Sequence, residues 1–269
     1  GMSYAPAADY NGPASLTIAT DDLGNSGAGG ALADTDVVAI TVSAVNDAPV
    51  NTVPGAQAGN EDVPLALAGV SVNDVDGGPV EVTLGVANGA LSVSLAGGAT
   101  ITAGANGTAT LTLAGTQAQV NAALATLAYA GATNWSGADT LTMTTTDRGN
   151  FGAGGPLGDL DAIALTISPV NDAPALGANS FTINEGTTLV LGGANLSASD
   201  IDDAAGSLVF TVGGVTNGYF QLASSPGVPV SSFTQAQVTS GRVQFVHAGR
   251  VAAFTITVSD AAASVGPYA

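Results

Sequence analysis

The chain has 269 residues, with 21 acidic side chains against three basic ones and no cysteine. This lack of cations excludes most nucleic-acid-binding proteins, which need a basic surface to neutralise phosphates, and it argues against an anionic membrane surface as a partner. The absence of cysteine excludes disulfides and thiolate metal sites. Because 46% of the residues are hydrophobic and only 5% are aromatic, we expect a folded chain whose core consists mainly of small and β-branched side chains.

The length fits about two domains of ordinary size. We found no run of 18 apolar residues and no signal peptide, so the sequence predicts no direct membrane insertion by this chain. So many carboxylates with so few positive charges must be solvated or bound to something else, and divalent cations are the natural candidate.

The strongest signal is an internal repeat. Residues 4–49 align without a gap with residues 129–174, at an offset of 125 residues and with about 25 identities over 46 positions. This period is too long for an ordinary solenoid and fits whole domains in series. A third unit shares T-Q-A-Q-V with the middle one. We therefore predict the C-terminal half of a repeat at residues 1–46, a complete repeat at 47–173, and a repeat at 174–269 that stops before its last strand.

The predicted elements, in chain order, are short strands. Apolar and small polar residues alternate at residues 16–20 and 37–45, and then at 80–86, 91–96, 108–114, 141–146, 162–170, 241–249 and 253–261. Residues 116–127 are the one helical-looking stretch, which we predict to form a turn or two between strands. Glycine-rich turns separate the strands, so the sequence predicts an all-β fold of antiparallel β-sandwiches.

Acidic residues recur at fixed places in each unit. The segment N-D-A-P closes the first two units, and an N-E pair and then a D-x-D motif follow it in the next unit. A later strand ends in an aspartate, which is Asp22, Asp147 or Asp260 in the three units. Calcium takes about six to eight oxygen ligands and favours carboxylates, Asn side chains and backbone carbonyls. These motifs therefore predict calcium sites where two domains meet.

This ordered set of motifs resembles the cadherin family, and it is more closely similar to the cadherin-like repeats of large bacterial surface adhesins. The matching pieces are V-N-D-A-P, N-E, D-V-D or D-I-D, and T-T-D-R-G-N, and they span nearly the whole chain. The third unit, with F-T-Q-A-Q-V and F-T-I-T-V-S-D, also resembles the chondroitin sulfate proteoglycan type of cadherin-like repeat. The chain has no counterpart of the cadherin D-R-E element. The resemblance implies tandem Ig/cadherin-like β-sandwiches.

The resemblance also implies two calcium-binding junctions. The family topology places the D-x-D motif and the strand-ending aspartate at the top of a domain, where the linker meets it, and the N-E glutamate at the bottom. The first junction would then use Asn46, Asp47, Asp74, Asp76 and Asp147. The second junction would use Glu61, Asn171, Asp172, Asp200, Asp202 and Asp260.

A long glycine-rich loop follows the strand-ending aspartate in the first two units. Its polar residues recur at the same offset of 125 residues, as Asp22, Asn25, Asp34 and Asp36 and again as Asp147, Asn150, Asp159 and Asp161. The glycines would let backbone carbonyls fold inward around an ion, so we interpret the loop as an extra calcium site. The alternative is a long hairpin with solvated acidic side chains.

These inferences lead to one expected function and one alternative. We expect structural repeats, stiffened by Ca²⁺, that extend the adhesive tip of a secreted protein from a bacterial cell surface, with the neighbouring repeats of the same chain as partners. The alternative is a module that itself binds a glycan or an identical repeat. We do not expect an enzyme, because the only histidine, His247, lies in a strand pattern and no Ser-His-Asp triad is supported.

Overall fold

The computed structural model describes residues 1–25, 27–149 and 151–269. The chain divides into two compact units, Gly1–Pro169 and Val170–Ala269. Within the described residues, regular structure consists of strands apart from two short α-helices and one 3-10 turn. The predicted all-β fold class is confirmed.

Thirteen strands and one helix are described in the first unit. They are β1 (Gly12–Asp21), β2 (Ala33–Val42), β3 (Val50–Thr52), β4 (Gln57–Asn60), β5 (Leu65–Ala66), β6 (Ser71–Asn73), β7 (Pro79–Gly85), β8 (Gly89–Ser92), β9 (Thr100–Gly104), β10 (Thr110–Thr116), α1 (Gln117–Leu124), β11 (Ala128–Gly131), β12 (Gly137–Thr146) and β13 (Gly158–Ser168).

Two sheets enclose the core of the first unit. One has six strands in the order β4-β13-β12-β7-β10-β9, and the other has three in the order β5-β11-β8. Every pairing in these sheets is antiparallel except the one between β4 and β13. The period of two in the sequence puts alternate side chains inward. Val82, Leu84, Leu111 and Leu113 are accordingly fully buried in one hydrophobic cluster.

The predicted helical stretch forms α1, which a capping box begins. The Thr116 hydroxyl accepts a hydrogen bond from the Gln119 backbone N–H at 3.3 Å, and the Gln119 side chain accepts one from the Thr116 backbone N–H at 2.9 Å. These two bonds satisfy N–H groups that the first turn of a helix leaves without partners. The repeated T-Q-A-Q sequence has the same role at Thr234, where it begins the helix of the second unit.

Residues 1–46 contribute a single hairpin, in which β1 and β2 pair antiparallel from Gly12↔Val42 to Asp21↔Ala33. The two strands form a sheet of their own. The side chains of Ile18, Val37 and Val38 are 41%, 65% and 46% exposed. The hairpin therefore buries little apolar surface.

Nine strands and one α-helix are described in the second unit. They are β14 (Ala175–Asn179), β15 (Thr188–Val190), β16 (Leu196–Ser199), β17 (Val209–Thr216), β18 (Gly218–Leu222), β19 (Ser232–Thr234), α2 (Gln235–Thr239), β20 (Val243–His247), β21 (Ala253–Ser259) and β22 (Ser264–Tyr268). They pair in three sheets, in the orders β14-β16, β15-β20-β18 and β19-β17-β21-β22.

The core of the second unit differs from the sequence-based expectation. Six of the seven phenylalanines lie in this unit. The rings of Phe220 and Phe245 meet edge to face with centroids 5.0 Å apart, and both side chains are fully buried. The core of the first unit is mainly aliphatic, with leucine about as common as valine and isoleucine together, whereas aromatic rings form a large part of the second core.

The five-residue strand β22 pairs antiparallel with β21. The expected bounds of the three repeats, 1–46, 47–173 and 174–269, stay predictions. Val265 of β22 packs against the hydrophobic core. The strand was missed because its sequence, S-V-G-P-Y, contains glycine and proline, which are uncommon in strand interiors.

Candidate metal sites

The N-D-A-P segment and the D-x-D motif of the first unit are joined by hydrogen bonds. The Asp47 backbone N–H donates to Asp76 Oδ2 at 2.7 Å, and the Asp76 N–H donates to Asp74 Oδ1 at 3.0 Å. Asn46 Nδ2 donates to Asp147 Oδ2 at 2.6 Å. The structure thus brings together all five residues predicted for the first junction. We call them the first acidic cluster.

The electrostatics of the first acidic cluster are unfavourable. Burial raises the pKa of the Asp74 carboxyl, because it disfavours the charged form. The hydrogen bond from the Asp76 N–H lowers this pKa, and repulsion from the carboxylates of Asp76, Asp147 and Asp47 raises it, so that the net shift is upward. Three carboxylates therefore lie close enough to Asp74 to interact with it.

Asp147 also closes the glycine-rich loop that follows it. Its Oδ1 accepts hydrogen bonds from the backbone N–H groups of Gly149 at 2.7 Å and Leu157 at 2.9 Å. Burial alone would raise the pKa of Asp147, but these bonds and the one from Asn46 lower it. Asp147 is thus held ionised at the edge of the first acidic cluster.

Among residues 1–25, 27–149 and 151–269, one buried oxygen of the first acidic cluster has no hydrogen-bond donor. Asn46 is 6% exposed, and no described residue donates to its Oδ1, while its Nδ2 donates to Asp147 and to the Gly155 carbonyl at 3.0 Å. Leaving a buried acceptor unsatisfied costs about 1–3 kcal/mol. A cation at this position would remove the cost, so the residues present fit a calcium ion.

The second unit repeats this arrangement. The Asp172 backbone N–H donates to Asp202 Oδ2 at 2.7 Å, and the Asp202 N–H donates to Asp200 Oδ1 at 2.9 Å. Asn171 Nδ2 donates to Asp260 Oδ2 at 3.0 Å. These bonds join the same motif positions as in the first unit, at nearly the same distances. We call these residues, with Asp203, the second acidic cluster.

Three carboxylates of the second acidic cluster converge. Asp200, Asp203 and Asp260 each offer one oxygen, and these oxygens all lie within 4.8 Å of one another. No other group of three His, Cys, Asp or Glu side chains meets this criterion among residues 1–25, 27–149 and 151–269. Asp200 Oδ2 is buried and has no hydrogen-bond donor in the described structure. This donor set fits a hard cation such as Ca²⁺.

Asp203 is a residue that our assignment of ligands left out. It is the third acidic residue of D-I-D-D, and we assigned only the first and third positions of the motif. Its backbone N–H donates to Asp200 Oδ1 at 3.0 Å, which turns the chain so that the Asp203 carboxylate reaches Asp260. The extra aspartate after D-x-D was the signal in the sequence.

Asp260 is fixed in the same way as Asp147. Its Oδ1 accepts hydrogen bonds from the backbone N–H groups of Ala263 at 2.6 Å and Ala262 at 2.7 Å. The bond from Ala263 is the main reason that the pKa of Asp260 is lowered, followed by the bond from Asn171. The turn after β21 therefore holds an ionised carboxylate next to Asp200.

Glu61, which we assigned to the second junction, belongs to the first unit. Its side chain is 2% exposed, and its backbone N–H donates to the Ser168 carbonyl at 3.0 Å. It lies directly after β4, where that strand pairs with the end of β13. The described contacts thus place Glu61 at the β13 end of its own repeat.

The residues predicted for the loop sites are more dispersed. Asp22 Oδ1 accepts hydrogen bonds from the N–H groups of Leu32 and Gly24, both at 2.9 Å, and these bonds lower its pKa. Asn25 lies in the loop, and its N–H points to the Asp22 carbonyl at 3.5 Å. Asp34 and Asp36 are exposed residues of β2, opposite Thr20 and Ile18.

The equivalent loop of the middle repeat behaves similarly. Asp159 and Asp161 lie in β13, and Asp159 Oδ2 accepts a hydrogen bond from the Asn51 N–H at 2.8 Å, which ties the start of the repeat to β13. Asn150 lies outside the described residues. In both loops the first aspartate, Asp22 or Asp147, accepts hydrogen bonds from backbone N–H groups at the two ends of the loop and so holds the loop closed.

Sequence reasoning missed a buried polar pair in the first unit, Tyr129 and Asp139. Asp139 accepts hydrogen bonds from the backbone N–H groups of Ala87, Asn88 and Thr140 at 3.1, 2.8 and 2.7 Å, and from the Tyr129 hydroxyl at 3.0 Å. Burial would raise the pKa of Asp139, but these four donors lower it. Burial and the Asp139 carboxylate raise the pKa of Tyr129. The pair holds β11 and β12 to the turn between β7 and β8.

His247 lies at the end of β20, as predicted for a strand residue. Its Nδ1 accepts a hydrogen bond from the Gly186 N–H at 3.2 Å, and its Nε2 lies 2.7 Å from the Arg250 carbonyl, to which it donates. Both ring nitrogens of a neutral imidazole are then used in structural bonds.

No helix in the described parts of the chain is long and apolar enough to cross a membrane.

Two family models match parts of the chain. Residues 174–268 match a family model described as Cadherin-like, and residues 76–152 match one described as the Protein GAMETE EXPRESSED 2 domain. The C-terminal part of the chain is thus similar to a cadherin-like domain.

Several curated proteins are similar to part of this chain. Human chondroitin sulfate proteoglycan 4 is 35% identical over 102 residues, which are 37% of this chain and 4% of that protein. The human extracellular matrix organizing protein FRAS1 is 32% identical over 110 residues, which are 39% of this chain and 3% of that protein. The expected likeness to the chondroitin sulfate proteoglycan type of repeat is thus confirmed, and the chain spans only a few per cent of the length of these relatives.

Solved cadherin structures are also similar to the chain at low identity. A human CDH23 structure of repeats EC21-23 is 15% identical, with 85% of this chain and 64% of that chain covered and a TM-score of 0.42. The human desmocollin-1 ectodomain is 11% identical, with 94% of this chain and 45% of that chain covered and a TM-score of 0.42.

Proposed function

We propose that the chain consists of calcium-binding extender repeats of a secreted bacterial surface adhesin, with repeats at residues 1–46, 47–173 and 174–269. Calcium at the linkers would stiffen the array, so that an adhesive segment is held away from the cell. The observation that carries this proposal is the duplicated acidic cluster, in which a linker N–H binds the D-x-D carboxylate at 2.7 Å in both units. The bacterial origin rests on the sequence resemblance alone.

The charge balance of the clusters supports a bound cation. The chain has three arginines, and in the described residues the one ion pair joins Arg148 to Glu81, outside both acidic clusters. Two carboxylates about 4 Å apart repel by about 1 kcal/mol in water and by about 4 kcal/mol near a protein surface. A divalent cation is the partner that neutralises several such carboxylates at once.

The chemistry of the donors favours calcium among divalent cations. Each acidic cluster offers Asp carboxylates together with an Asn side chain, and neither contains a cysteine or a histidine. Such all-oxygen sets suit Ca²⁺, and extracellular calcium modules bind it at about 10⁻⁴–10⁻³ M. This affinity suits an environment outside the cell, where calcium is abundant.

Calcium is expected to stiffen the array because each cluster joins a linker to the body of a repeat. In the first acidic cluster, Asn46 and Asp47 belong to the linker, whereas Asp74 and Asp147 belong to the body of the repeat. Bound calcium would hold linker and body in one coordination shell. Without it, repulsion within the cluster would loosen the linker and let neighbouring repeats swing independently.

Calcium titration by calorimetry tests the proposal. We expect the wild-type chain to bind Ca²⁺ at about 10⁻⁴–10⁻³ M, and we expect Asp74→Asn and Asp200→Asn each to lose one class of site. Asp62→Asn is the matched control, since it removes one exposed carboxylate outside both clusters and outside the predicted loop sites. Absence of binding at 10-fold higher calcium, roughly 10 mM, would refute the proposal.

A further inference from the structure

The glycine-rich loop between β12 and β13 binds the backbone of residues 44–46, which lead from β2 into the N-D-A-P linker. The Asn46 backbone N–H donates to the Ala153 carbonyl at 2.9 Å, and the Ala153 N–H donates to the Ala44 carbonyl at 3.1 Å. These two bonds form a parallel β-bridge. The loop and the linker are thus joined as two short strands would be.

The side chain of Asn46 adds a third bond to the same loop. Its Nδ2 donates to the Gly155 carbonyl at 3.0 Å, and the residue is 6% exposed. A buried backbone N–H needs a hydrogen-bond acceptor, and the loop supplies the one for Asn46. The loop therefore holds the linker through backbone groups, in addition to the acidic side chains of the first acidic cluster.

The close approach of the loop depends on glycine at position 152. Gly152 has a φ of +65°, and a Cβ atom there would lie 2.7 Å from the carbonyl carbon of Ala44 and 2.8 Å from its oxygen. Because these are backbone atoms, no side-chain rotation would relieve the overlap. Gly155 has a similar φ of +74°, but a Cβ atom there would meet no heavy atom within 4 Å. Glycine at 152 is therefore needed for the contact with the linker.

The base of the loop is fixed to the body of the middle repeat. The Asp147 N–H donates to the Leu157 carbonyl at 3.2 Å, and the Leu157 N–H donates to Asp147 Oδ1 at 2.9 Å. The ladder between β12 and β13 continues directly from this point, beginning with the pair Thr146↔Gly158. The bridge to residues 44–46 therefore connects the end of one predicted repeat to the body of the next.

The contact contains no charged group. Residues 151–155 read F-G-A-G-G, and the two bonds of the bridge join backbone groups. Removal of calcium does not change the charge of these groups, whereas it leaves the carboxylates of the first acidic cluster to repel one another. The bridge and the acidic cluster should therefore respond differently to a chelator.

We propose that segment 152–155 is a calcium-independent lock on the first junction, which restricts the movement of residues 44–46 against the middle repeat when calcium is absent. We call this segment the linker lock. The inference rests on the proposed role of these residues as a junction between repeats, but it does not rest on calcium binding. Bound calcium would stiffen further a junction that the linker lock already restricts.

The second unit has no segment equivalent to the linker lock. Ten residues, 148–157, separate Asp147 from β13, whereas three alanines separate Asp260 from β22. A turn of this length supplies no counterpart of G-A-G-G. We therefore expect an array with two kinds of junction at low calcium, since the first is partly restricted by the linker lock and the second has no such lock.

Distances between two spin labels test the linker lock in the calcium-free chain. Val37 of β2 and Ala164 of β13 are exposed, and the chain has no native cysteine, so V37C/A164C places one label on each side of the first junction. In chelator, we expect Gly152→Ala to broaden the distribution of distances between the labels. Gly155→Ala is the matched control, because it also adds a Cβ atom to a left-handed glycine, but in open space.

Two results would overturn the proposal. One is a distribution for Gly152→Ala that is as narrow as those of the wild type and Gly155→Ala. The other is a wild-type chain that is already as broad in chelator as Gly152→Ala.

Amide hydrogen exchange in chelator measures the bridge itself. The N–H groups of Asn46 and Ala153 are its donors, so we expect both to exchange about ten-fold faster in Gly152→Ala than in the wild type. Ala153→Pro removes one donor without adding a side chain at Gly152, and it should also speed exchange at Asn46. Fluorescence of Trp135 shows whether each variant is folded, and Ala153→Pro decides if Gly152→Ala is not. Unchanged exchange at Asn46 in a folded variant would contradict the lock.

Addition of calcium to the labelled chains separates the linker lock from the proposed function. If calcium binds the first acidic cluster, the distances should narrow in the wild type and in both glycine variants. A difference between Gly152→Ala and Gly155→Ala that calcium leaves unchanged would support the lock and contradict calcium stiffening. Equal distributions in chelator that narrow with calcium would contradict the lock and support calcium stiffening.

Discussion

Replacement of Asp139 by alanine tests the physical account of the first unit. The Asp139 carboxylate is 7% exposed and accepts hydrogen bonds from three backbone N–H groups and from Tyr129. Without it, these donors lose their acceptor in a place where little water can replace it. Removing one partner of a buried, charged network costs about 3–5 kcal/mol. We therefore expect Asp139→Ala to lose about 3–5 kcal/mol of unfolding free energy.

Urea denaturation followed by tryptophan fluorescence measures this loss in the first unit. Trp135 is the only tryptophan and packs against the core of the first unit, so its signal reports the unfolding of that unit. The urea concentration at the unfolding midpoint should fall, while the slope of unfolding free energy against urea concentration stays constant. Tyr129→Phe removes only one of the four donors and should cost about 1 kcal/mol.

Asp36→Ala is the control, because Asp36 is an exposed acidic residue of β2 in the same unit. This variant should change the unfolding free energy by no more than about 0.5 kcal/mol. If Asp139→Ala unfolds at the same urea concentration as the wild type, the hydrogen bonds to Asp139 do not stabilise the unit and the reasoning is wrong.

Three further predictions concern pH, a helix cap and the second acidic cluster. Because the pKa of Asp139 is lowered in the fold, its carboxylate stabilises the unit fully at pH values above the unfolded-state pKa of about 4. This stabilisation is lost as the pH falls through the folded-state pKa. The difference in unfolding free energy between wild type and Asp139→Asn should therefore shrink when urea titrations are repeated in acid. Thr116→Ala should cost about 1 kcal/mol in the same fluorescence assay, and Thr116→Ser little. Asp203→Asn should weaken calcium binding at the second unit in calorimetry, and Asp62→Asn should not.

Each of these predictions has a result that would contradict it. A pH-independent difference for Asp139→Asn would mean that the Asp139 carboxyl is not preferentially ionised in the fold. Equal stability of Thr116→Ala and wild type would remove the capping box as the reason for α1. Unchanged calcium binding by Asp203→Asn would exclude its carboxylate as a ligand.

The strand pattern was readable from the sequence because the period of two reflects burial directly. In β10, Leu111 and Leu113 are fully buried and the residues between and after them are more exposed. The T-Q-A-Q sequence was similarly informative, because a threonine followed three residues later by glutamine satisfies the first N–H groups of a helix locally. Such features depend on a few neighbouring residues.

The acidic clusters could be predicted only in part. The two repeats showed which acidic residues recur, and the first acidic cluster contains the five residues expected. Asp203 was missed because its role depends on how the turn after Asp200 bends the chain. Asp34 and Asp36 were placed in a loop, but β2 already includes them, since their neighbours across the hairpin continue the ladder.

Other features depend on contacts distant in sequence. Asp139 has an alanine at the corresponding position of the first repeat, Ala14, so the internal repeat gave no indication of its burial. Its donors at Ala87 and Asn88 lie about 50 residues away in the chain.

Small-angle scattering of the dilute chain, with millimolar calcium and then with a chelator, tests calcium stiffening most directly. We expect calcium to narrow the distribution of distances between repeats and the chelator to broaden it, while the Asp74→Asn and Asp200→Asn variants should resemble the chelated state at both conditions. Identical scattering curves with and without calcium, from a chain that remains folded, would contradict the proposal that calcium at the acidic clusters stiffens the array.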